Sequence, residues 1–320
     1  MKKNSLDRYR VIACAAVIVM LMHASITPTF AQGKQKTFAT PDEAVRALMD
    51  AFKTHNVPKL IEIIGADNKD LVITHDTAQD AYGRTRICQM ASEKLVKEKT
   101  GNNKITLALG KNEWLFPFPL VKDGAVWRFD SKAGREEVVN RRVGRDELNA
   151  IAVCRYYIKA QREYAGKDRN NDDVMEYAQK FGSSPGKKDG LFWSSAASKG
   201  KDPSPFELLF EKSRKYALAR RPGEPFYGYY FKILTKQGGN APGGAYDYII
   251  NGHMVAGCGL IAYPSSYGVS GVATFIVNQR SKVYEKDLGA DTVKIASEMT
   301  EYNPDKTWKL VKENGSLATD

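Results

Sequence analysis

Apolar residues recur at helical spacing across residues 40–65. Thr40-Pro41-Asp42-Glu43 opens a first helix: Thr is an N-cap, Pro suits the first turn, and Glu stands three residues after the cap. Ala44, Leu48, Met49 and Phe52 then share one face. Asn56-Val57-Pro58 breaks the chain before a second short helix through Leu60, Ile63 and Ile64, closed by Gly65. Residues 70–100 read as helical with loops. From Lys104 the period shortens. ITLALG, WLFPFPLV and VWRFD are strand-like runs, and Asp123-Gly124 marks a hairpin between the last two. Pro117 and Pro119 place the middle run at a sheet edge or bulge.

The second half is organised around residues 144–193. A connecting helix is expected over 132–143, stopped or kinked at Gly144. Asp146 and Glu147 then set negative charge at the positive end of a long helix. Leu148, Ile151 and Ile158 make one apolar stripe; Ala150, Val153, Tyr157, Ala160 and Tyr164 make another. Two stripes require more than one packing partner. Gly166 is expected to end this helix in a left-handed conformation. Leu191-Phe192-Trp193 reads as an aromatic anchor, and a further helix is expected over 205–218.

Strands follow over 227–234, 246–250, 254–263, 272–277 and 282–286, with Asn251-Gly252 as the strongest hairpin signal. A closing helix over 293–299 and a sealing Trp308 complete the pattern. The fold class is α+β, in two domains: 32–131, helices plus a curled antiparallel sheet, and 144–312, a long helix across an antiparallel sheet. Residues 313–320 read as a disordered tail. The helix over 146–165 is expected to cover the apolar face of that last sheet.

Composition changes the picture mainly at the N-terminus. Lys2, Lys3, Arg8 and Arg10 precede an apolar run over 11–22, and small residues lead to Ala31. That is the plan of a secretory signal over residues 1–31, with cleavage near Ala31; an uncleaved anchor is the alternative. No other stretch is long and apolar enough to span a bilayer. The formal charge is +11, or +8 without residues 1–31, and the basic residues are dispersed. Such a surface suits an envelope protein or an anionic polymer or lipid surface as partner. It carries no basic-aromatic signature of nucleic-acid binding.

Candidate chemistry is sparse. After the expected cleavage near Ala31, Cys88, Cys154 and Cys258 remain, odd in number and with no C-x-x-C pair; the remaining histidines, His55, His75 and His253, are scattered. The run from Asp168 to Glu176 places oxygen-bearing side chains at alternate positions. Asp168, Asn170, Asp172 and Glu176, with the Val174 carbonyl, have the ligand types of a calcium loop. Asp173 stands where the sharp turn wants Gly, and Gln179 where a bidentate Glu is wanted. The alternative is a turn whose Asp and Asn side chains bond their own backbone. Asp247, Glu285, Asp287, Glu136 and Glu137 supply carboxylates for an acid–base pair that spacing alone cannot assemble. Ser270 lacks the spacing of a nucleophile elbow. Tyr227, Tyr229, Tyr246, Tyr248, Tyr263 and Tyr267 alternate along strands and read mostly as structural.

NRRVGRDELNAI, YIKAQREYA, SSPGKKDGLFW, GYYFKIL, PGGAYDY, YGVSGVATFIVN and VYEKDLG resemble the bacterial secreted family catalogued as domain of unknown function 2950, over about residues 37–312. The resemblance implies an exported bacterial protein and carries no established activity. Residues 38–131 are similar in pattern to cystatin-like or nuclear-transport-factor-like cones. Residues 144–290 are similar to the globular part of type IV pilins and pseudopilins, which implies a helix laid on an antiparallel sheet. The long helix lacks the N-terminal apolar half of a pilin, so a filament is not implied. The functional expectation is an exported, non-catalytic binding or interaction protein of the cell envelope. The alternative is an exported hydrolase using a carboxylate pair.

Overall fold

Thr40 accepts from Glu43 N at 3.2 Å, and Glu43 reaches back to Ala39 N at 3.2 Å, so both ends of the expected cap are in place. In a computed structural model, which describes residues 35–193, 203–207, 221 and 223–312, this cap starts α1 (Pro41–Lys53). The expected signal segment, the loop after Trp193, most of the helix expected over 205–218 and the tail lie outside the described residues. α2 (Val57–Ile64), the single turn α3 (Lys69–Val72) and α4 (Thr77–Glu93) follow. Their apolar faces pack on a five-stranded antiparallel sheet: β1 (Leu95–Thr100), β2 (Lys104–Leu109), β3 (Trp114–Leu115), β4 (Leu120–Asp123) and β5 (Val126–Phe129).

One local expectation needs correction. Leu95–Thr100 is strand, not helix or loop: its alternating charged residues form an exposed edge paired only to β2. The run around Pro117 and Pro119 is bulged as expected: β3 and β4 both pair with β2, but the register shifts between Ala108↔Leu115 and Lys104↔Val121, where proline supplies no ladder donor. The hairpin at Asp123-Gly124 forms as expected.

α5 (Ser131–Ala165) is one continuous helix of 35 residues. Asp130 caps it through Ala133 N at 3.1 Å. Gly144 does not stop it. An interior glycine costs roughly 1 kcal/mol against alanine, which the packing on both sides of it outweighs. Gly166 ends the helix at φ −75°, not in the left-handed region.

The second half of α5 lies across a five-stranded antiparallel sheet ordered β15-β13-β12-β11-β6. Its members are β6 (Tyr229–Leu234), β11 (Gly259–Pro264), β12 (Ala273–Asn278), β13 (Tyr284–Asp287) and β15 (Lys309–Leu310). Every residue of β11 is buried, because the sheet is covered on both faces. Leu260 and Ala262 join Phe275 and Val277 beneath α5. Ile261 and Tyr263 join Ile276, Tyr302 and Trp308 on the opposite face, under α6 (Thr292–Glu298). The predicted 246–250 strand is split between β8 (Tyr246–Asp247) and β9 (Ile249–Ile250), which belong to different sheets. β8 joins β7 (Lys236–Gln237) and β14 (Glu301–Tyr302); β9 pairs with β10 (His253–Met254) around Asn251-Gly252. Both turn residues have positive φ, as the hairpin requires. The protein is therefore α+β, and among the described residues no helix is long and apolar enough to cross a membrane.

Candidate functional site

The first half of α5 is held by polar contacts. Ser131 Oγ donates to Ile64 O at 2.7 Å, and Arg135 grips both oxygens of Asp70 at 2.7 Å. Arg142 Nη2 donates to Leu71 O at 2.8 Å. Beside this half opens a cleft of about 1250 Å³, walled by α3, α4, β3, α5 and the loop 265–270. Leu148, expected in a core stripe, is 39% exposed on its wall. Ile73 and Tyr82 are exposed there as well. Large apolar groups facing a concave, solvent-reached space are the usual lining of a ligand site.

The polar groups of the cleft are poorly satisfied for their depth. Asp146 is fully buried; Arg145 bonds its Oδ1 at 2.9 Å, while Oδ2 makes no hydrogen bond. Burial pushes the Asp146 carboxyl up to about 6, against the pull of Arg145, Arg142 and Gln79. Gly228 lets the backbone approach this carboxylate: a Cβ there would stand 2.6 Å from Asp146 Oδ2, and its φ is +73°. Arg142 Nη1 and Arg84 Nε are also buried without a hydrogen bond. Burial draws the Arg142 guanidinium down from its ordinary value. Five arginines and three aspartates line the cleft, leaving an excess of positive charge.

Asp80 is pushed upward by burial, but Thr74 occupies both its oxygens, at 2.7 and 2.9 Å. Asp146 thus offers the open carboxylate oxygen of the cleft. Sequence reading missed this site because its members come from five separate segments.

Of the carboxylates named from sequence, Glu285 and Asp287 share one hollow, while Asp247 and Glu137 lie elsewhere. Glu285 and Asp287 border a smaller hollow of about 480 Å³ with Glu147, whose Oε1 accepts from Val272 N and Ala273 N at 2.9 and 3.1 Å. Asp247 lies on a different sheet, and Glu137 pairs with Arg141 at 2.6 Å. Ser270 is buried and bonded to Ser266 N and O at 3.0 and 3.1 Å. Tyr229 and Tyr248 are fully buried, as their strand alternation suggested. Cys154 and Cys258 are separate buried thiols that burial pushes up to about 12; Cys88 is free and half-buried.

The acidic loop is partly assembled. Asp168 bonds the backbone N–H groups of Asn170, Asn171 and Asp173 at 3.2, 2.8 and 2.9 Å, the self-bonding turn weighed as the alternative. Asn170, Asp172 and Glu176 do converge. Asn170 Nδ2 donates to Asp172 Oδ2 at 2.7 Å and Glu176 Oε1 at 3.3 Å. His253, which no spacing motif links to the loop, joins Asp172 and Glu176 from the β9–β10 hairpin.

These features define an α+β protein with a deep, mixed apolar and cationic cleft alongside one long helix. The chain belongs to the family described as "Protein of unknown function (DUF2950)", whose model matches residues 35–311. No curated protein and no solved structure gives a significant match, so the pilin likeness rests on sequence pattern alone.

Proposed function

We propose that this is an exported envelope protein that binds, without transforming it, an amphipathic small molecule bearing a carboxylate. The observation that carries the reading is the unsatisfied donor pair, Arg142 Nη1 and Arg84 Nε, in a cleft lined by exposed Ile73, Tyr82 and Leu148. A buried donor left without a partner costs roughly 1–3 kcal/mol, which a ligand oxygen relieves. The cationic excess favours an anionic head, and the apolar wall favours a hydrophobic body. Export rests on the segment expected over residues 1–31.

Trp114 lines the same cleft, with Arg141 over its ring at 5.3 Å, and serves as a reporter. Titration with a short apolar peptide carrying a free C-terminal carboxylate is expected to change its fluorescence. The amidated peptide and the Arg142→Met variant are each expected to bind at least about tenfold more weakly, the loss of one charged hydrogen bond. Equal affinity for acid and amide rejects the carboxylate assignment.

The hydrolase reading needs two working carboxylates. Among the described carboxylates of the cleft, Asp146 is pushed up to about 6 by burial with one oxygen open, whereas Asp80 and Asp70 are occupied by Thr74 and Arg135. Turnover of a peptide or glycoside that Asp146→Asn abolishes would establish the enzyme instead.

A further inference from the structure

We propose that Asp172, Glu176 and His253 bind a divalent transition-metal ion of the zinc type, independently of the cleft. His253 Nδ1 stands 3.3 Å from Glu176 Oε2 and 3.6 Å from Asp172 Oδ2. One ligand atom from each residue lies within 4.8 Å of the other two. Ligands held about 2.0–2.1 Å from a tetrahedral zinc ion stand about 3.3 Å from one another. The two edges from His253 are within about 0.3 Å of that separation, and the edge between the carboxylates, no longer than 4.8 Å, is the one that closure contracts. Nδ1 is shielded from solvent and has no hydrogen-bond partner, so the nitrogen facing both carboxylates has no other bond to give up.

The ligand chemistry selects the metal. Calcium and magnesium take oxygen ligands, whereas imidazole with carboxylate suits zinc and its neighbours. This set differs from the all-oxygen cage expected from sequence: it takes His253 in place of Asp168, whose oxygens accept from three loop N–H groups. The surrounding bonds orient the ligands. Val174 N donates to Asp172 Oδ1 at 2.9 Å, Met254 N to Glu176 Oε2 at 3.3 Å, and Asn170 Nδ2 bridges the two carboxylates. Three protein ligands leave one position of a tetrahedron to water.

The ion would fasten the loop after α5 to the β9–β10 hairpin. Tyr177 N→Met254 O at 2.8 Å and Gln179 Nε2→Gly252 O at 2.7 Å already hold the two segments in register. In the absence of metal, direct contacts of the His253 ring with the two carboxylates are the competing account of the same geometry.

The test is calorimetric titration of chelator-treated protein with zinc and, separately, calcium, followed by thermal unfolding. One zinc ion per chain is expected, with the unfolding midpoint raised by about 5 °C at about a hundredfold excess over the dissociation constant. His253→Ala and Glu176→Gln are each expected to lose at least about tenfold in zinc affinity, while His75→Ala keeps it. Metal-free unfolding of each variant establishes that it folds. An unchanged midpoint with zinc overturns the proposal. So does zinc affinity that survives both ligand substitutions, or calcium binding as tight as zinc.

Discussion

The two halves of α5 are built on opposite terms. From Ala150 to Tyr164 the helix buries Val153, Cys154, Tyr157, Ile158 and Ala160 against β11 and β12. Its one fully buried polar side chain there, Gln161, is satisfied: it exchanges bonds with Ala178 N and O, both at 2.8 Å, and donates to Tyr157 Oη at 2.9 Å. From Ser131 to Asn149 the helix instead presents arginines and Asp146 to a cleft, with buried polar atoms left unmatched. One half behaves as a core beam and the other as a binding wall. A continuous helix thus fixes the wall's geometry through packing that occurs elsewhere on the same rod.

The sharpest way to break this contrast is Tyr157→Ala in the beam. Tyr157 is fully buried and donates to Gly259 O at 3.0 Å. The substitution is expected to cost about 4 kcal/mol in urea unfolding, from the cavity and the stranded partners. A loss under about 1 kcal/mol would show that α5 is not the beam of this sheet.

The wall is expected to show itself through pH. The Asp146 carboxyl is raised from 3.8 to about 6 in the folded state, so between these values the folded protein binds more protons than the unfolded chain. Its contribution therefore falls as pH rises from about 4 to 6, by up to about 3 kcal/mol. Unfolding at stepped pH should show this fall in the wild type and its absence in Asp146→Asn. Parallel pH profiles would mean that Asp146 is not desolvated.

Two glycines of the same helix give a comparison of opposite sign. A Cβ on Gly134 would stand 2.0 Å from the Phe118 ring, whereas one on Gly144 meets nothing within 4 Å. Gly134→Ala should therefore destabilise by about 2 kcal/mol through overpacking. Gly144→Ala should stabilise by about 0.5–1 kcal/mol through helix propensity alone. Melting curves of the two variants suffice; the same sign for both would remove the distinction.

Gly144 also shows where local reading failed. Gly after a basic run resembles a helix stop, and 132–143 looked like a separate element. Nothing within ten residues reveals that Ser131, Arg135 and Arg142 anchor one half while Tyr157 and Gln161 anchor the other. The same limit applied to the loop. Alternate oxygens flagged Asp172 and Glu176, but His253 reaches them only because the β9–β10 hairpin folds back beside Tyr177.

Features that depend on neighbours along the chain are legible in the residues alone. The Thr40 cap, the Asp123-Gly124 and Asn251-Gly252 hairpins and the apolar alternation of the sheets follow from short-range sterics and from period. So does the need for a helix to cover the last sheet, since two apolar stripes and an apolar sheet face must exclude water together. Which buried groups are left unpaired is set by packing between distant segments. Asp146, Arg142 and Arg84 sit on separate segments, and whether each finds a partner is set by distances between those segments. Burial and pairing are properties of the packed whole, and it is there that the cleft and the His253 cluster arise.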